Sequence, residues 1–247
     1  MTASTEQKRK ESGLAETGRV LVQALLIALV IRTLLFQPFN IPSGSMKGTL
    51  LVGDYLFVSQ FSYGYSHYSL PLSVPLFSGR IWASQPARGD VVVFALPKDD
   101  STDYIKRLIG LPGDRIQMKA GLLYINGEPV KREHVGDFVD DENGQHVRRW
   151  RETLPNGVSY ETLDLQDNGF LDTTQEYVVP PGHYFMMGDN RDDSLDSRVP
   201  TAVGYVPFEN LIGKAQIIFF SINGEPAWHI WSWPWKVRWD RLLSLVR

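Results

Sequence analysis

The sequence predicts a mostly β protein, in which an N-terminal transmembrane helix precedes a β-rich core of antiparallel sheets with an inserted β-hairpin subdomain. One long apolar segment lies near the N-terminus, and after it hydrophobic residues recur with a period of two. The 247 residues are 43% hydrophobic and 12% aromatic, which is sufficient for a buried core. We therefore expect one strong helix and mainly strands after it.

Composition excludes several classes of function. The formal net charge of −3 argues against a nucleic-acid partner, which requires a basic surface. The chain has no cysteine, so it has no disulfide, no thiolate nucleophile and no cysteine-ligated metal. The acidic run at residues 137–142 lacks the alternating ligands and central glycine of a calcium loop and is expected to be a solvated face. We expect neither a metal nor another cofactor.

The N-terminal region is expected to anchor the chain in a membrane. Residues 1–18 are polar and are predicted to form a disordered cytoplasmic tail. Residues 19–36 are predicted to form the transmembrane anchor, because a helix over the apolar part is roughly 25 Å long. The positive-inside bias then places the remainder on the outer side. A cleaved signal peptide and a buried core helix are the alternatives.

Residues 37–130 form the first part of the predicted core. Alternating patterns predict strands at residues 51–58, 90–96 and 104–109, and residues 122–130 predict a hairpin with an Asn-Gly turn. Between the first two strands, residues 61–87 are rich in Tyr, Ser and Pro. We expect that segment to be an irregular excursion rather than part of the core.

The second half of the chain contains an insertion and then a return of strands. Residues 131–176 are charged and uneven, and we expect an inserted subdomain of hairpins there. The core resumes over residues 177–247, with strands predicted at 177–180, 184–187 and 211–221.

Five of the seven tryptophans lie at residues 228–239, interleaved with basic residues. This pattern is typical of a membrane interface, where indole rings and cations meet the lipid headgroups. It fits equally well an aromatic edge of the core, capped by a short helix over residues 239–246.

Polar groups that favour nucleophilic catalysis occur at two places in apolar surroundings. Pro42 and Gly44 bend the chain so that Ser45 lies next to the second hydroxyl of Ser43. A serine needs a base, and Lys106 lies on a strand whose apolar face favours the neutral amine. An ordinary Pro/Gly/Ser turn and a solvated edge lysine are the alternatives.

Two other residues are possible bases for Ser45. His183 and Asp189 would complete a Ser–His–Asp triad, although the spacing of His183 favours a simple turn residue. Lys47 lies two residues after Ser45, and its place beside Gly48 favours a solvated side chain.

Four stretches, in this order, resemble the bacterial type I signal peptidases, or leader peptidases. They are residues 42–46 (Pro-Ser-Gly-Ser-Met), 88–94, 103–114 and 188–198 (Gly-Asp-Asn-Arg through Ser-Leu-Asp-Ser-Arg). The resemblance implies a serine endopeptidase that removes signal peptides from exported preproteins after small-x-small (Ala-x-Ala) sites. It also implies a catalytic domain on the outer side of the bacterial cytoplasmic membrane. The sequence has one apparent span where some relatives have two, which places the N-terminus in the cytoplasm. The tryptophans and basic residues near the C-terminus are expected to contact anionic lipid.

Carried over by position, the resemblance implies that Ser45 is the nucleophile and Lys106 the general base. The backbone N–H of Ser45 and the hydroxyl of Ser43 would form the oxyanion hole. Ser194 would hydrogen-bond to the lysine amine. The positions that brace the site correspond to Asp189, Arg107, Asp196 and Arg198. The pockets for small substrate side chains correspond to Phe39, Ile41, Pro42, Leu56, Val93 and Ile105.

One departure and two rival functions accompany this resemblance. Gly48 stands where many family members have proline, so we expect a looser chain after Ser45. The first rival is another Ser–Lys peptidase, either a self-cleaving repressor-like protein or a pilin-maturation enzyme. The second is an anchored β-rich binding module without catalysis, which an acylating probe directed at Ser45 would distinguish.

Overall fold

A computed structural model describes residues 3–99, 101–140, 144–224 and 228–247, and for residues 3–15 and Leu72 it describes the backbone alone. Residues 1–2 of the predicted tail and 141–142 of the acidic run lie outside the described residues.

Helix α1 spans Ala3–Leu34 and corrects the predicted disordered tail, because it begins at residue 3. This segment is rich in Glu, Lys, Arg and Ala, which are strong helix formers, and contains no proline. Within α1, Glu16–Leu34 have a mean hydropathy of 1.7 and none of them is buried against the rest of the chain. An exposed apolar helix of this length is consistent with a membrane-anchored protein.

Strands are the main regular secondary structure after α1, which confirms the mostly β class. In chain order they are β1 (Phe36–Asn40), β2 (Asp54–Ser59), β3 (Val91–Ala95), β4 (Asp103–Gly110), β5 (Arg115–Lys119), β6 (Leu122–Ile125), β7 (Glu128–Pro129), β8 (Lys131–Val139), β9 (His146–Thr153), β10 (Ser159–Asp164), β11 (Tyr177–Val178), β12 (His183–Met187), β13 (Val206–Pro207), β14 (Leu211–Ser221) and β15 (Ser244–Leu245). The short helix α2 spans Trp233–Lys236. Single 3₁₀ turns occur at Gly44–Met46, His67–Ser69, Pro71–Ser73, Phe208–Asn210, Ile230–Ser232 and Trp239–Arg241.

The main sheet has eight strands in the order β1-β2-β14-β3-β4-β12-β13, with β15 also paired to β14. Its neighbouring strands are antiparallel, as the fold prediction required. Strand β14 pairs with β2 and β3, so the end of the chain joins two early strands. Strand β1 was not predicted, because Pro38 interrupts its pattern; proline is tolerated there because β1 is an edge strand.

Two smaller sheets complete the fold. Strands β11, β5, β6 and β7 form one, and β10, β9 and β8 form the other within the inserted segment. The predicted hairpin at residues 122–130 corresponds to β6 and β7. The insertion is thus an antiparallel sheet that packs beside the loop after β12.

Three buried apolar clusters hold these sheets together. One contains Met46, Leu50, Leu56, Val58 and Val93, and therefore lies directly beneath the turn that carries Ser45. The others pack β5 and β6 against β12, and β3 and β4 against β12. The expectation for residues 61–87 is corrected in part: the segment is irregular, but Tyr63 and Tyr68 are buried in these clusters.

The tryptophan-rich segment does not form the short helix expected over residues 239–246. A 3₁₀ turn is followed by β15, because β14 offers a free edge to which the backbone of Ser244 and Leu245 can pair. Trp233 packs on Phe220, with ring centroids 4.9 Å apart. The other four tryptophans of the segment, Trp228, Trp231, Trp235 and Trp239, are exposed.

Candidate active site

Ser45 lies on a single 3₁₀ turn that follows the edge strand β1. Ser43 has extended backbone torsions, φ −132° and ψ 157°, and the N–H of Lys47 then closes the turn on the carbonyl of Gly44 at 2.9 Å. Met46 anchors the turn in the apolar cluster below, while Ser43 remains exposed to solvent. The first amides of such a turn have no partner within it, so the N–H of Ser45 is available to an incoming group.

Gly48 permits the path of the chain after this turn. Its φ is +110°, a conformation that proline cannot adopt, and a Cβ would lie 3.0 Å from the carbonyl oxygen of Glu161. The chain is therefore packed against the inserted sheet here. This corrects the expectation of a looser chain after Ser45.

Lys106 extends from β4 to the turn Gly44–Met46, which we call the nucleophile turn after the role expected of Ser45. Its Nζ lies 2.6 Å from Ser45 Oγ and donates to the carbonyl of Ile105 at 3.0 Å. Only 3% of the Lys106 surface is exposed, and 8% of that of Ser45. Burial lowers the pKa of Lys106 from 10.5 to about 8, although nearby aspartates, with Asp196 foremost, act in the opposite direction. A large fraction of the amine is therefore neutral near pH 8.

The loop at residues 188–198 surrounds this pair with a buried charge network. The guanidinium of Arg107 donates to both carboxylate oxygens of Asp189, at 2.8 and 2.7 Å, and the Thr49 hydroxyl donates to the same carboxylate at 2.6 Å. Arg198 pairs in the same bidentate way with Asp196. Arg198 holds the pKa of the Asp196 carboxyl below its ordinary value, although burial alone would raise it.

Ser194 does not make the contact that the resemblance implies. Its Oγ donates to Asp196 Oδ2 at 2.8 Å, whereas in the described part of the chain Lys106 Nζ bonds to Ser45 and the Ile105 carbonyl. Asp196 attracts the hydroxyl because it carries a full negative charge at the centre of the network. Ser194 nevertheless lies close to Ser45, since both residues contact Gly188. A Cβ at Gly188 would collide with the Ser194 hydroxyl and with the Ser45 carbonyl oxygen.

A cavity of about 690 Å³ opens above Ser45 and Lys106. Pro42 and Ile105 line it, as expected for two of the six pocket residues. Ile41, Leu56 and Val93 are instead buried in the cluster beneath the turn, and Phe39 packs against that cluster. These four residues therefore form the base on which the pocket rests.

The inserted sheet clamps the same loop. Glu152 of β9 accepts two hydrogen bonds from Arg191, at 2.8 and 2.6 Å, and both side chains are almost fully buried. Tyr160 of β10 donates to Glu152 and lies under the Arg107 guanidinium, 4.1 Å from ring centroid to Cζ. The backbone of Leu163 exchanges hydrogen bonds with the loop at Asp189 and Arg191. A continuous set of buried contacts thus connects the insertion to Lys106 and Ser45.

Two expectations about charged residues are corrected by this insertion. Lys47 is buried and pairs with Asp140 at 2.8 Å, so it is not solvated, and Asp140 of the acidic run is not part of a solvated face. Both corrections have the same cause: Asp140, directly after β8, packs against Lys47 at the end of the nucleophile turn. The Ser–His–Asp alternative does not form either: the His183 ring bonds to the Pro181 carbonyl, and Asp189 is held by Arg107.

Several residues of the site were not singled out from the sequence. Asn190 holds the nucleophile turn through its backbone N–H to the Ser45 carbonyl and its side-chain amide to the Gly44 carbonyl, both at 3.1 Å. Asn190 and Arg191 belong to the motif at residues 188–198, and this membership is the sequence signal that could have identified them. Thr49, Glu152 and Tyr160 lie in patterns that local sequence does not distinguish from ordinary strand and turn positions.

Comparisons with known proteins relate most of this chain to one family. A family model described as signal peptidase, peptidase S26, matches residues 14–220. A signal peptidase I of Rickettsia conorii is 50% identical over 205 residues, covering 80% of this chain and 76% of the relative. One of Rickettsia massiliae is 46% identical over 228 residues, covering 89% and 84%. A crystal structure of a signal peptidase I from Enterococcus faecalis is 27% identical and covers 53% of this chain and 97% of its own, with a TM-score of 0.34.

Proposed function

This chain belongs to the signal peptidase family, peptidase S26, and is a serine peptidase that removes signal peptides; we propose that Ser45 is its nucleophile and Lys106 its general base. The observation that supports this assignment best is the 2.6 Å separation of Lys106 Nζ from Ser45 Oγ inside a buried site. Burial supplies what the lysine needs, because it favours the neutral amine that can accept a proton.

In the proposed reaction, Ser45 Oγ attacks the scissile carbonyl carbon while Lys106 Nζ takes the hydroxyl proton. The oxyanion accepts hydrogen bonds from the Ser45 N–H and the Ser43 hydroxyl. The C–N bond then breaks as the ammonium of Lys106 returns the proton to the leaving amine, which leaves the signal peptide esterified to Ser45. A water molecule, deprotonated by Lys106, hydrolyses this ester and frees the serine.

The remaining charged residues are proposed to position this dyad. Ser194 would act through Asp196 rather than by a direct bond to the lysine, while Arg107 with Asp189, and Arg198 with Asp196, hold the surrounding loop. Buried pairs of this kind keep their geometry because either partner alone would be an uncompensated charge.

Substrate is proposed to bind as an extended strand along β4. Strand β3 pairs with β4 from Asp103 to Arg107, whereas β12 pairs with it only from Arg107 onwards. Within the described residues, the second edge of residues 103–106 therefore has no strand partner, and it faces the cavity. A peptide that adds to this edge brings its carbonyl to Ser45. Cleavage after Ala-x-Ala is proposed from the family of this chain, with the first and third substrate side chains directed toward the apolar cluster beneath the turn.

Cleavage of a purified preprotein by the full chain in detergent tests this function. We expect one cut, after the Ala-x-Ala sequence, identified by the mass and N-terminal residue of the product. A preprotein with phenylalanine at the first and third positions before the bond is the control and is expected to remain intact. Cleavage of both proteins at other bonds would contradict the small-x-small specificity, and a well-folded chain that cuts neither would support the binding module.

The pH dependence of this cleavage is a second test. Since the neutral form of Lys106 is the active one, kcat/KM is expected to rise about tenfold per pH unit up to about pH 8 and to be level above it. The measurement is initial rate at low substrate between pH 5 and 10, in detergent of constant composition. A midpoint near 6.5, the ordinary pKa of histidine, would contradict the assignment of Lys106 as the base.

The proposed location is the bacterial cytoplasmic membrane, with α1 as a single span, the N-terminus in the cytoplasm and the β core outside. The exposed apolar surface of Glu16–Leu34 supports the span, and the basic residues before it support the orientation. A substrate held in the same bilayer by its own apolar segment would meet the site at high effective concentration.

The exposed tryptophans at residues 228–239 are proposed to lie in the lipid headgroup layer of the same membrane. In vesicles that contain anionic and brominated lipid, we expect quenching of tryptophan fluorescence of the full chain. Replacing Trp228, Trp231, Trp235 and Trp239 by phenylalanine should abolish most of the quenched signal and leave Trp82, Trp150 and Trp233 emitting. Equal fractional quenching in this variant and the parent would contradict the interfacial position.

A further inference from the structure

We infer that Phe170, Leu171 and Leu195 form an apolar subsite for the middle residue of the small-x-small sequence. This inference rests on the proposed function, because it concerns the preprotein bound at the same dyad. It adds a preference that the small-x-small rule lacks: an apolar side chain at x, the second residue before the scissile bond.

The first observation is the lining of the catalytic cavity. One part of its wall is the nucleophile turn with β4, including Pro42 and Ile105. Another part comes from two loops, at residues 166–171 and 192–195. Their apolar contribution is Phe170, Leu171 and Leu195, and their polar contribution is Gln166, Asp192, Asp193 and Ser194. These apolar side chains therefore face the same space as Ser45 and Lys106.

The second observation is the exposure of these side chains. Phe170 is 91% exposed and Leu195 is 59% exposed. Large apolar side chains that are exposed to water beside a cavity are typical of binding surfaces, because a bound partner can bury them and gain the hydrophobic stabilisation. The partner that occupies this cavity is the substrate, so the patch is continuous with the catalytic site.

The third observation is that Phe170 is held on a constrained loop. Asp192 accepts hydrogen bonds from the N–H groups of Leu165 and Gln166, at 2.8 and 3.2 Å. Asp172 closes the following turn. Its carboxylate accepts a hydrogen bond from the Gly169 N–H at 2.6 Å, and its backbone N–H donates to the Gly169 carbonyl at 3.0 Å. The ring is thus presented at the cavity by a loop that is tied to the catalytic loop itself, and little ordering is needed when substrate binds.

The position of the preferred residue follows from strand geometry. In an extended peptide on the free edge of β4, alternate side chains point to opposite sides. The first and third residues before the bond face the apolar cluster beneath the turn, which is why they must be small. The second residue points the other way, toward the part of the wall that carries Phe170 and Leu195. Leucine, methionine or phenylalanine at x would bury apolar surface there, whereas serine or aspartate would not.

The test is a peptide series of the form Ala-x-Ala, cleaved by the full chain in detergent, with x as Leu, Phe, Ser or Asp. We expect kcat/KM to be about tenfold higher for leucine than for serine. In Phe170→Ser this ratio should fall to about twofold or less, because the apolar surface that favours leucine is lost. Trp82→Ser is the matched control, because Trp82 is also largely exposed but does not line the cavity, and it should keep the full preference.

A second series varies the residue after the scissile bond and should respond equally in wild type and Phe170→Ser. The subsite is contradicted if x has no effect in the wild type, if Phe170→Ser keeps the preference, or if the change appears only in the second series. Failure of the proposed function has a different signature: no Ala-x-Ala peptide is cut by any of the three proteins, and the subsite is rejected with it.

Discussion

Replacing Lys106 by alanine is expected to lower kcat/KM for preprotein cleavage by about 10⁴-fold or more, and Ser45→Ala should have the same effect. Nucleophile and base act as one unit, so the double variant should be no slower than either single variant. The physical reason is the 2.6 Å contact between the two groups, through which the serine proton would be transferred in the proposed mechanism. The measurement is single-turnover cleavage of a preprotein by each purified variant.

His183→Ala is the matched control for this series, since the His183 ring bonds to the Pro181 carbonyl. It should cut at the wild-type rate. A lysine variant that cuts normally, together with a histidine variant that fails, would reject Lys106 as the base. The midpoint of thermal unfolding is measured for each variant. We expect it to stay near that of the parent, so that the loss of activity reflects the missing catalytic group and not an unfolded chain.

Replacing Glu152 by glutamine is expected to destabilise the chain by about 3–5 kcal/mol, although Glu152 belongs to the inserted sheet. The carboxylate neutralises Arg191, whose surroundings exclude water, and both hydrogen bonds between them are short. Burial alone would lower the pKa of Arg191, but the Glu152 carboxylate raises it above its ordinary value. When that carboxylate is replaced, the guanidinium stays charged because the ordinary pKa of arginine lies far above neutral pH. An uncompensated buried charge is the cause of the expected loss.

The midpoint of thermal unfolding should fall by roughly 10 °C, on the scale of 2–4 °C per kcal/mol for a domain of this size. Activity should fall at temperatures well below that midpoint, because Arg191 also holds the loop whose Asn190 binds the nucleophile turn. Near-ultraviolet circular dichroism and preprotein cleavage, measured on the same sample, follow the two effects.

Glu161→Gln is the matched control, because Glu161 lies on the same sheet and pairs with Arg149 and Arg151 near the surface. A surface pair contributes at most about 1 kcal/mol, so this variant should unfold within a few degrees of the parent. The double variant Glu152→Gln with Arg191→Met should recover part of the stability, since it removes the buried charge. Equal unfolding of Glu152→Gln and Glu161→Gln would show that the buried pair does not clamp the insertion.

Local patterns sufficed for the strands of the core. Short apolar runs with turn residues between them are typical of buried strands, and β3, β4, β12 and β14 were predicted within a few residues of their observed bounds. Strand β1 was missed because Pro38 hides its pattern, and helix α1 was predicted too short because polar residues conceal a run of strong helix formers. In β1 a proline lowers the local strand propensity, and in α1 polar residues with high helix propensity were interpreted as a tail.

The dyad was within reach of the sequence for a different reason. Pro42, Gly44 and Ser45 form a recognisable bend, and Lys106 is a cation in an otherwise apolar strand, so each residue is unusual in its own surroundings. The residues of the clamp are not unusual in this sense. Glu152 follows three arginines along β9, as a residue of a solvated strand could, and nothing near it in the sequence indicates that it is buried.

The sequence by itself determined the N-terminal apolar helix, the β class, the family and the residues proposed for catalysis, because these depend on patterns within short stretches. Tertiary structure alone decided which charges are buried and with which partners. Lys47 meets Asp140 across 93 positions, and Glu152 meets Arg191 across 39. The cost of burying a charge is offset only by a partner that the folded chain brings to it, and no local pattern encodes that encounter.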